Sequence, residues 1–263
     1  NPQTMPQLLD ISNLIKQRNN KTLYALKINN DPEDTSGAKL LESAAKLASA
    51  TDNKLVQIMK CDLNISNCII DTVQANKITD LIVGIHHKAN IVDTFLGGTI
   101  TALINGTSHQ NLIIYGPKRP INSVKRLVVT VPQMAELEIG FDLWFDRVKN
   151  IASQLSIPIV FYANKTTTEA LKKQCEIHSS LNVSFRELAS WEDFLIISKD
   201  IKHSDTLIVI TARKATVSYN NLFEKIPYYL NKYFADNNFL LIYPQQTAPD
   251  GTDNDIYNPL KIS

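Results

Sequence analysis

The sequence predicts an α/β protein built from two tandem open parallel sheets, and three observations predict it. Short apolar runs alternate with segments of helical periodicity along nearly the whole chain, the mark of β-α-β units. The elements follow the same order in both halves, as a tandem repeat requires. Between the halves, Gly116 to Ser123 (GPKRPINS) breaks every pattern with two prolines, a glycine and two cations, as a linker does.

In the first half the strands expected are TLYALKI from Thr22, KLVQIMK from Lys54, DLIVGI from Asp80 and NLIIYG from Asn111. Between them GAKLLESAAKLASA repeats apolar residues at Leu40, Ala44, Leu47 and Ala48, and ISNCIIDTVQA does so at Ile65, Ile69 and Val73, giving one-sided helices that cover a sheet. The second half supplies RLVVTV from Arg126, PIVFYA from Pro158, VSFREL from Val183, TLIVIT from Thr206 and NFLLIY from Asn238. Its first helix has the clearest register, through Leu137, Phe141, Trp144, Val148, Ile151 and Leu155. In its last helix Pro227 stands near the start, where a missing N–H is harmless, and Ile226, Leu230 and Tyr233 are expected to face inward. The predicted domains are 1–117 and 125–246, with a linker at 118–124 and a mobile polar tail at 247–263.

One mismatch separates the halves. The second opens with a strand, whereas the first opens directly on the helical MPQLLDISNLIKQ, so the first repeat lacks its first strand. As the chain also starts without Met, it is expected to be a piece of a longer protein, cut just after that strand.

Composition excludes several function classes. A hydrophobic content of 44% over 263 residues supplies a real core and predicts a soluble fragment. A net charge of +1, without a Lys/Arg run, argues against nucleic acid, because phosphate neutralisation needs clustered cations. No apolar run approaches the roughly 20 residues that span a bilayer, so this segment is not expected to insert. Cys61, Cys68 and Cys175 are odd in number and match no zinc spacing, which predicts reduced, mostly buried thiols. His86 and His87 are adjacent and point to opposite faces of a strand, while His109, His178 and His203 are scattered, so no metal site is expected. No nucleophile elbow, zinc helix, P-loop or paired-carboxylate motif is present, which predicts a protein that is not an enzyme.

The stretch with chemical content is GIHHKANIVDTFLGGT, Gly84 to Thr99, between an apolar strand and a helix. Such a junction holds anions, because the helix start presents free N–H groups and the positive end of its dipole. Gly97, Gly98 and Thr99 sit at the expected helix start, Lys88 suits a phosphate contact, and Asn90 tolerates left-handed backbone.

This loop and the element order resemble the universal stress protein family over roughly residues 2 to 246. Nucleotide-binding members carry Gly-x-x-Gly, nine residues, then Gly followed by Ser or Thr. Here the pattern falls on Gly84, Ile85, His86 and His87, then Lys88 to Leu96, then Gly97 and Gly98. Gly84 and Gly97 match; His87 and Gly98 do not, and Thr99 restores a hydroxyl after a one-residue shift. His87 either fills the space of a β-phosphate or gives it a hydrogen bond or positive charge. The resemblance implies ATP or AMP as the ligand of this loop, against the alternative of a merely structural loop. The corresponding loop of the second half, TARKATVSYNNLFEK, has no glycine, so a cradle of the family type is lost there. Its Arg213 and Lys214 suit an acidic partner or simply form an exposed charged loop.

A narrower resemblance is to the cytosolic C-terminal region of bacterial monovalent cation:proton antiporters (Na+/H+ exchanger-like), carried by ITDLIVGIHHKANIVDTFLGG, VKRLVVTVPQMAELEIGF and ARKATVSYNNLFEKIPYYLNKYF. It implies a regulatory module on the cytoplasmic side of the inner membrane, with the transporter upstream in the same polypeptide, two repeats packed as a pseudo-dimer, and assembly as a homodimer. The alternatives are a dimerisation module without a ligand and a soluble universal stress protein.

Overall fold

The computed structural model describes residues 4–16, 22–29, 36–85, 98–177 and 181–247. The first half contributes α1 (Met5–Ile15), β1 (Thr22–Asn29), α2 (Ser36–Ala50), β2 (Lys54–Cys61), α3 (Ile65–Ala75), β3 (Asp80–Gly84), α4 (Gly98–Gly106) and β4 (Asn111–Gly116). The second contributes β5 (Arg126–Thr130), α5 (Phe141–Leu155), β6 (Ile159–Ala163), α6 (Lys165–Ile177), β7 (Val183–Glu187), a 3-10 run over Trp191–Lys199, β8 (Asp205–Ile210), a 3-10 turn over Asn221–Lys225, α7 (Ile226–Tyr233) and β9 (Asn238–Tyr243).

Seven strands form one sheet in the order β3-β4-β9-β8-β5-β6-β7, and β1 pairs with β2 in a separate two-stranded sheet. All pairings are parallel except β4 with β9, where the last strands of the two halves meet antiparallel, with Ile113 opposite Ile242 and Ile114 opposite Leu241. The repeats are therefore joined back to back as a pseudo-dimer on a common sheet. At the end of this seam Gly116 faces Phe239, whose ring lies 2.2 Å from where a Cβ would be, so the close approach requires glycine there.

Central strands are buried on both sides, which is why they read as unbroken apolar runs. Along β4, Ile113 and Tyr115 enter one core with Ile11 of α1 and Trp144 and Val148 of α5. Leu112 and Ile114 enter the opposite core with Leu103 of α4, Phe194 and Leu230. The alternation is the strand's two-residue period, and the layers are helix, sheet, helix.

The helical registers depart from expectation in four places, one of them α3, where Ile65 is exposed and Cys68, Thr72 and Val73 form the buried face. Leu137 is 66% exposed in a 3-10 turn, because left-handed Met134 and the N-capping Gly140 delay α5 until Phe141. In α2 the buried stripe is Gly37, Leu41, Ala44 and Ala48, so Leu41 rather than Leu47 completes it. Tyr233 ends α7 and is exposed, whereas Ile226 and Leu230 are buried. Cys61 is exposed, against the expectation of mostly buried thiols; Cys68 is buried, and burial pushes the Cys175 thiol up to about 11.

Candidate functional site

The carboxyl ends of parallel strands and the helix starts beside them are where an open α/β sheet places ligands. In the first half that edge is made by Gly84 at the end of β3 and by Gly98 and Thr99 at the start of α4. Gly98 and Thr99 are both exposed, and a Cβ on Gly98 would meet no atom of the described residues within 4 Å. Among the described residues the α4 start is thus open, and its dipole favours an anion. Gly84 has a different surrounding: a Cβ there would lie 3.1 Å from the Leu8 side chain, so its small size serves the packing of α1. His86, His87, Lys88, Asn90 and Gly97 lie outside the described residues.

In the second half the equivalent edge is occupied by the chain itself. Glu138, from the segment that follows β5, accepts hydrogen bonds from the Ser218 backbone N–H at 3.0 Å and the Ser218 hydroxyl at 2.6 Å. A carboxylate thus takes the donors that an outside anion would use. Lys214 is exposed and pairs with Glu224 at 2.8 Å.

Arg213 corrects the expectation of an exposed partner contact: it is only 7% exposed and points into the protein. Its guanidinium donates to the Ile104 carbonyl, to the Thr107 and Gln110 carbonyls at 2.8 and 3.1 Å, and to the Pro244 carbonyl at 3.3 Å. Three of these lie at or just beyond the C-terminal end of α4, whose carbonyls have no helical partner and attract a cation. Burial lowers the Arg213 pKa to about 10, so the group stays charged at neutral pH. The second-half loop is thereby clamped onto the first half.

Two more charged sites were not singled out in the sequence, and both stand at the amino ends of strands. Asp80, which opens β3, accepts from Arg147 of α5 through Nε at 2.9 Å and Nη2 at 2.8 Å, with Asn111 adding a third bond at 3.0 Å. Asp205, which opens β8, is held by Arg126 of β5 at 2.5 Å. Nearby, Asp200 accepts from the Tyr162 hydroxyl at 2.7 Å and pairs with Arg186 at 2.9 Å. Burial pushes the Asp200 carboxyl up, but Tyr162, Arg126 and Arg186 together hold it below the usual range. The signal available in the sequence was positional: Asp80 and Asp205 each begin the fourth strand of their repeat.

Among the described residues, no group of His, Cys, Asp and Glu could hold a metal ion, and no helix is long and apolar enough to cross a membrane. At the level of sequence, no family profile and no curated protein matches the chain. Solved structures do. The cytoplasmic domain of a prokaryotic cation chloride cotransporter superposes with a TM-score of 0.67 over 94% of this chain and 93% of its own, at 12% identity. A universal stress protein from Archaeoglobus fulgidus DSM 4304 gives 0.58 over 92% of each chain at 10% identity. A universal stress protein from Pseudomonas aeruginosa UCBPP-PA14, described as putative, gives 0.58 over 90% of this chain and 88% of its own at 13% identity. The fold is shared with universal stress proteins and with a transporter's cytoplasmic domain.

Proposed function

We propose that the chain is the cytosolic regulatory module of a cation-transporting membrane protein. The observation that carries this reading is the likeness to a transporter's cytoplasmic domain over nearly the full length of both chains. Within that class, the sequence stretches named above favour a monovalent cation:proton antiporter, with the transporter upstream in the same polypeptide and the module on the cytoplasmic face. The open α4 start at Gly98 and Thr99 is the site for an adenine nucleotide such as ATP or AMP, with His86, His87, Lys88, Asn90 and Gly97 as the remaining contacts. Regulation then follows if the nucleotide binds two transport states unequally; a tenfold difference in affinity shifts their balance by about 1.4 kcal/mol.

A second reading is an assembly module that holds transporter protomers together without a ligand. The internal use of Arg213, Glu138 and Ser218 favours it for the second half. Calorimetry with ATP, ADP, AMP and cyclic dinucleotides separates the two. The nucleotide reading expects heat from one of them and at least tenfold weaker binding in Gly98→Ala, which adds a Cβ in open space and leaves the fold intact. No heat from any ligand would end the nucleotide reading and leave the assembly role.

A further inference from the structure

The segment that joins β5 to α5 is built inside out. From Pro132 to Gly140 it crosses the carboxyl edge of the second half as a strap, tied to the connections that follow four strands. Gln133 donates to the Ala189 carbonyl beyond β7 at 2.7 Å, Glu136 accepts from the Thr167 hydroxyl beyond β6 at 2.7 Å, and Glu138 holds Ser218 beyond β8. Gly140 presses on the chain beyond β9, where a Cβ would lie 2.5 Å from the Gln245 carbonyl oxygen. The polar side chains thus serve as anchors, and the large apolar ones are left outside: Met134 is 45% exposed, Leu137 66% and Ile139 42%. Val217, next to the Ser218 that Glu138 holds, adds a fourth at 55%.

Single exposed apolar side chains are ordinary, but four of them gathered on one edge mark a surface that something covers. The backbone points the same way. Met134 has φ 62° and Ala215 has φ 68°, so each of the two loops that carry the patch holds a left-handed residue other than glycine. Such a conformation is unfavourable and persists only where the surroundings impose it, as at binding surfaces. Here the anchors impose it: between Met134 and Leu137 only the small Ala135 is buried, and the side chains on either side stay in solvent.

We propose that the apolar face of this strap is the docking surface for the chain's own segment 248–263, through Ile256, Tyr257 and Leu260. That segment lies outside the described residues, and its sequence and its point of departure select it as the occupant. The last described residue there is Thr247, two positions beyond the Gln245 that lies against Gly140 of the strap. From that point APDGTDND, 248–255, is polar and rich in turn formers, whereas IYNPLKI, 256–262, gathers all the large apolar residues of the segment. The order is that of a linker followed by a docking motif. The link from Thr247 to Ile256 reaches up to about 30 Å, and the strap from Met134 to Gly140 measures about 20 Å at most, so the motif reaches the whole patch. A short tether also holds the motif at about millimolar effective concentration, an advantage that a second copy arriving from solution lacks. The inference is independent of the transporter reading.

The test is methyl NMR of the 263-residue chain beside the same chain shortened to end at Thr247. The expected result is a set of nuclear Overhauser contacts from the Tyr257 ring to the methyls of Leu137, Ile139 and Val217, independent of protein concentration over a tenfold dilution. Shortening should move those methyl resonances and leave the core methyls of Val128 and Leu207 in place. In the full chain, Tyr257→Ser on one side of the contact and Leu137→Asp on the other should each reduce the remaining contacts at least fivefold. Leu137 is mostly exposed, so the fold tolerates the change. Methyl resonances of the strap that do not move on shortening would overturn the proposal, as would contacts that weaken on dilution and so mark a second copy as the occupant.

Discussion

Replacing Arg213 by Met tests the joint between the two halves. The side chain keeps its length and apolar stem but loses the donors to the Ile104, Thr107, Gln110 and Pro244 carbonyls. A charged hydrogen bond contributes about 1.5–3 kcal/mol on a mutational scale, and four such bonds would give far more than is realised, because burying the guanidinium has its own cost. Thr107 also keeps one partner, since its carbonyl accepts from the Gln110 N–H at 3.1 Å. The net loss expected for removing one member of a buried charged network is about 3–5 kcal/mol. For a chain of this size that lowers Tm by about 10 °C. Arg213→Lys keeps the charge but reaches fewer carbonyls, and should fall between Met and the native protein. Thermal and urea unfolding at pH 7 are the assays, since the group stays charged at a pKa of about 10. A loss below about 1 kcal/mol in Arg213→Met would show that the carbonyls are satisfied without the clamp, and the account of the joint would fail.

Two further outcomes are expected. Asp200 has a folded-state pKa below its unfolded value, so its contribution is present above about pH 4 and is lost as pH falls through the folded value. Asp200→Asn should therefore flatten the acid limb of a urea-stability profile below about pH 4 and leave its shape at higher pH unchanged. Glu138→Ala removes the acceptor of both Ser218 donors and should lower stability by about 1–2 kcal/mol, whereas Ser218→Ala, which loses one bond, should lower it by about half as much in the same unfolding assay.

Most of the secondary structure could be read from the sequence because strands buried on both faces and helices buried on one leave periodic apolar traces. β8 and β9 are continuous apolar runs, and α5 repeats Phe141, Trp144, Val148 and Ile151. Three of the misreadings lie at helix ends, Ile65 among them, while Leu47 lies inside α2 on a face that no other element covers fully. Leu137 precedes the Gly140 cap, and Tyr233 is the last residue of α7, so neither has a facing element to enter. Arg213 was misread for a different reason: three of its four partners are carbonyls more than one hundred positions earlier, and backbone acceptors leave no residue-type signature. Arg147 and Asp80, which are 67 positions apart, were equally invisible as a pair. Among the described residues the first half has no counterpart of β5, and that difference between two repeats could be read by a comparison internal to one sequence.

The two halves share a fold and divide its uses. In the second, the first strand is present, the central strands are fully buried, the ligand edge is closed by Glu138, and Arg213 fastens the loop to α4. Local opening there would break a dry core and a charged network together, so it belongs at the high end of the local stability range. In the first half, among the described residues, β1 and β2 share no ladder with the main sheet, their residues are largely half-exposed or exposed, and the helix start at Gly98 is open. Elements with few buried contacts open at low cost, and such elements are the ones a ligand can order. The clamp matters in this division because Arg213 holds the C-terminal end of α4 still, so that ordering at its N-terminal end is referred to a fixed second half. The regulatory role proposed above rests on this combination of one fully buried half and one half with more exposed strands.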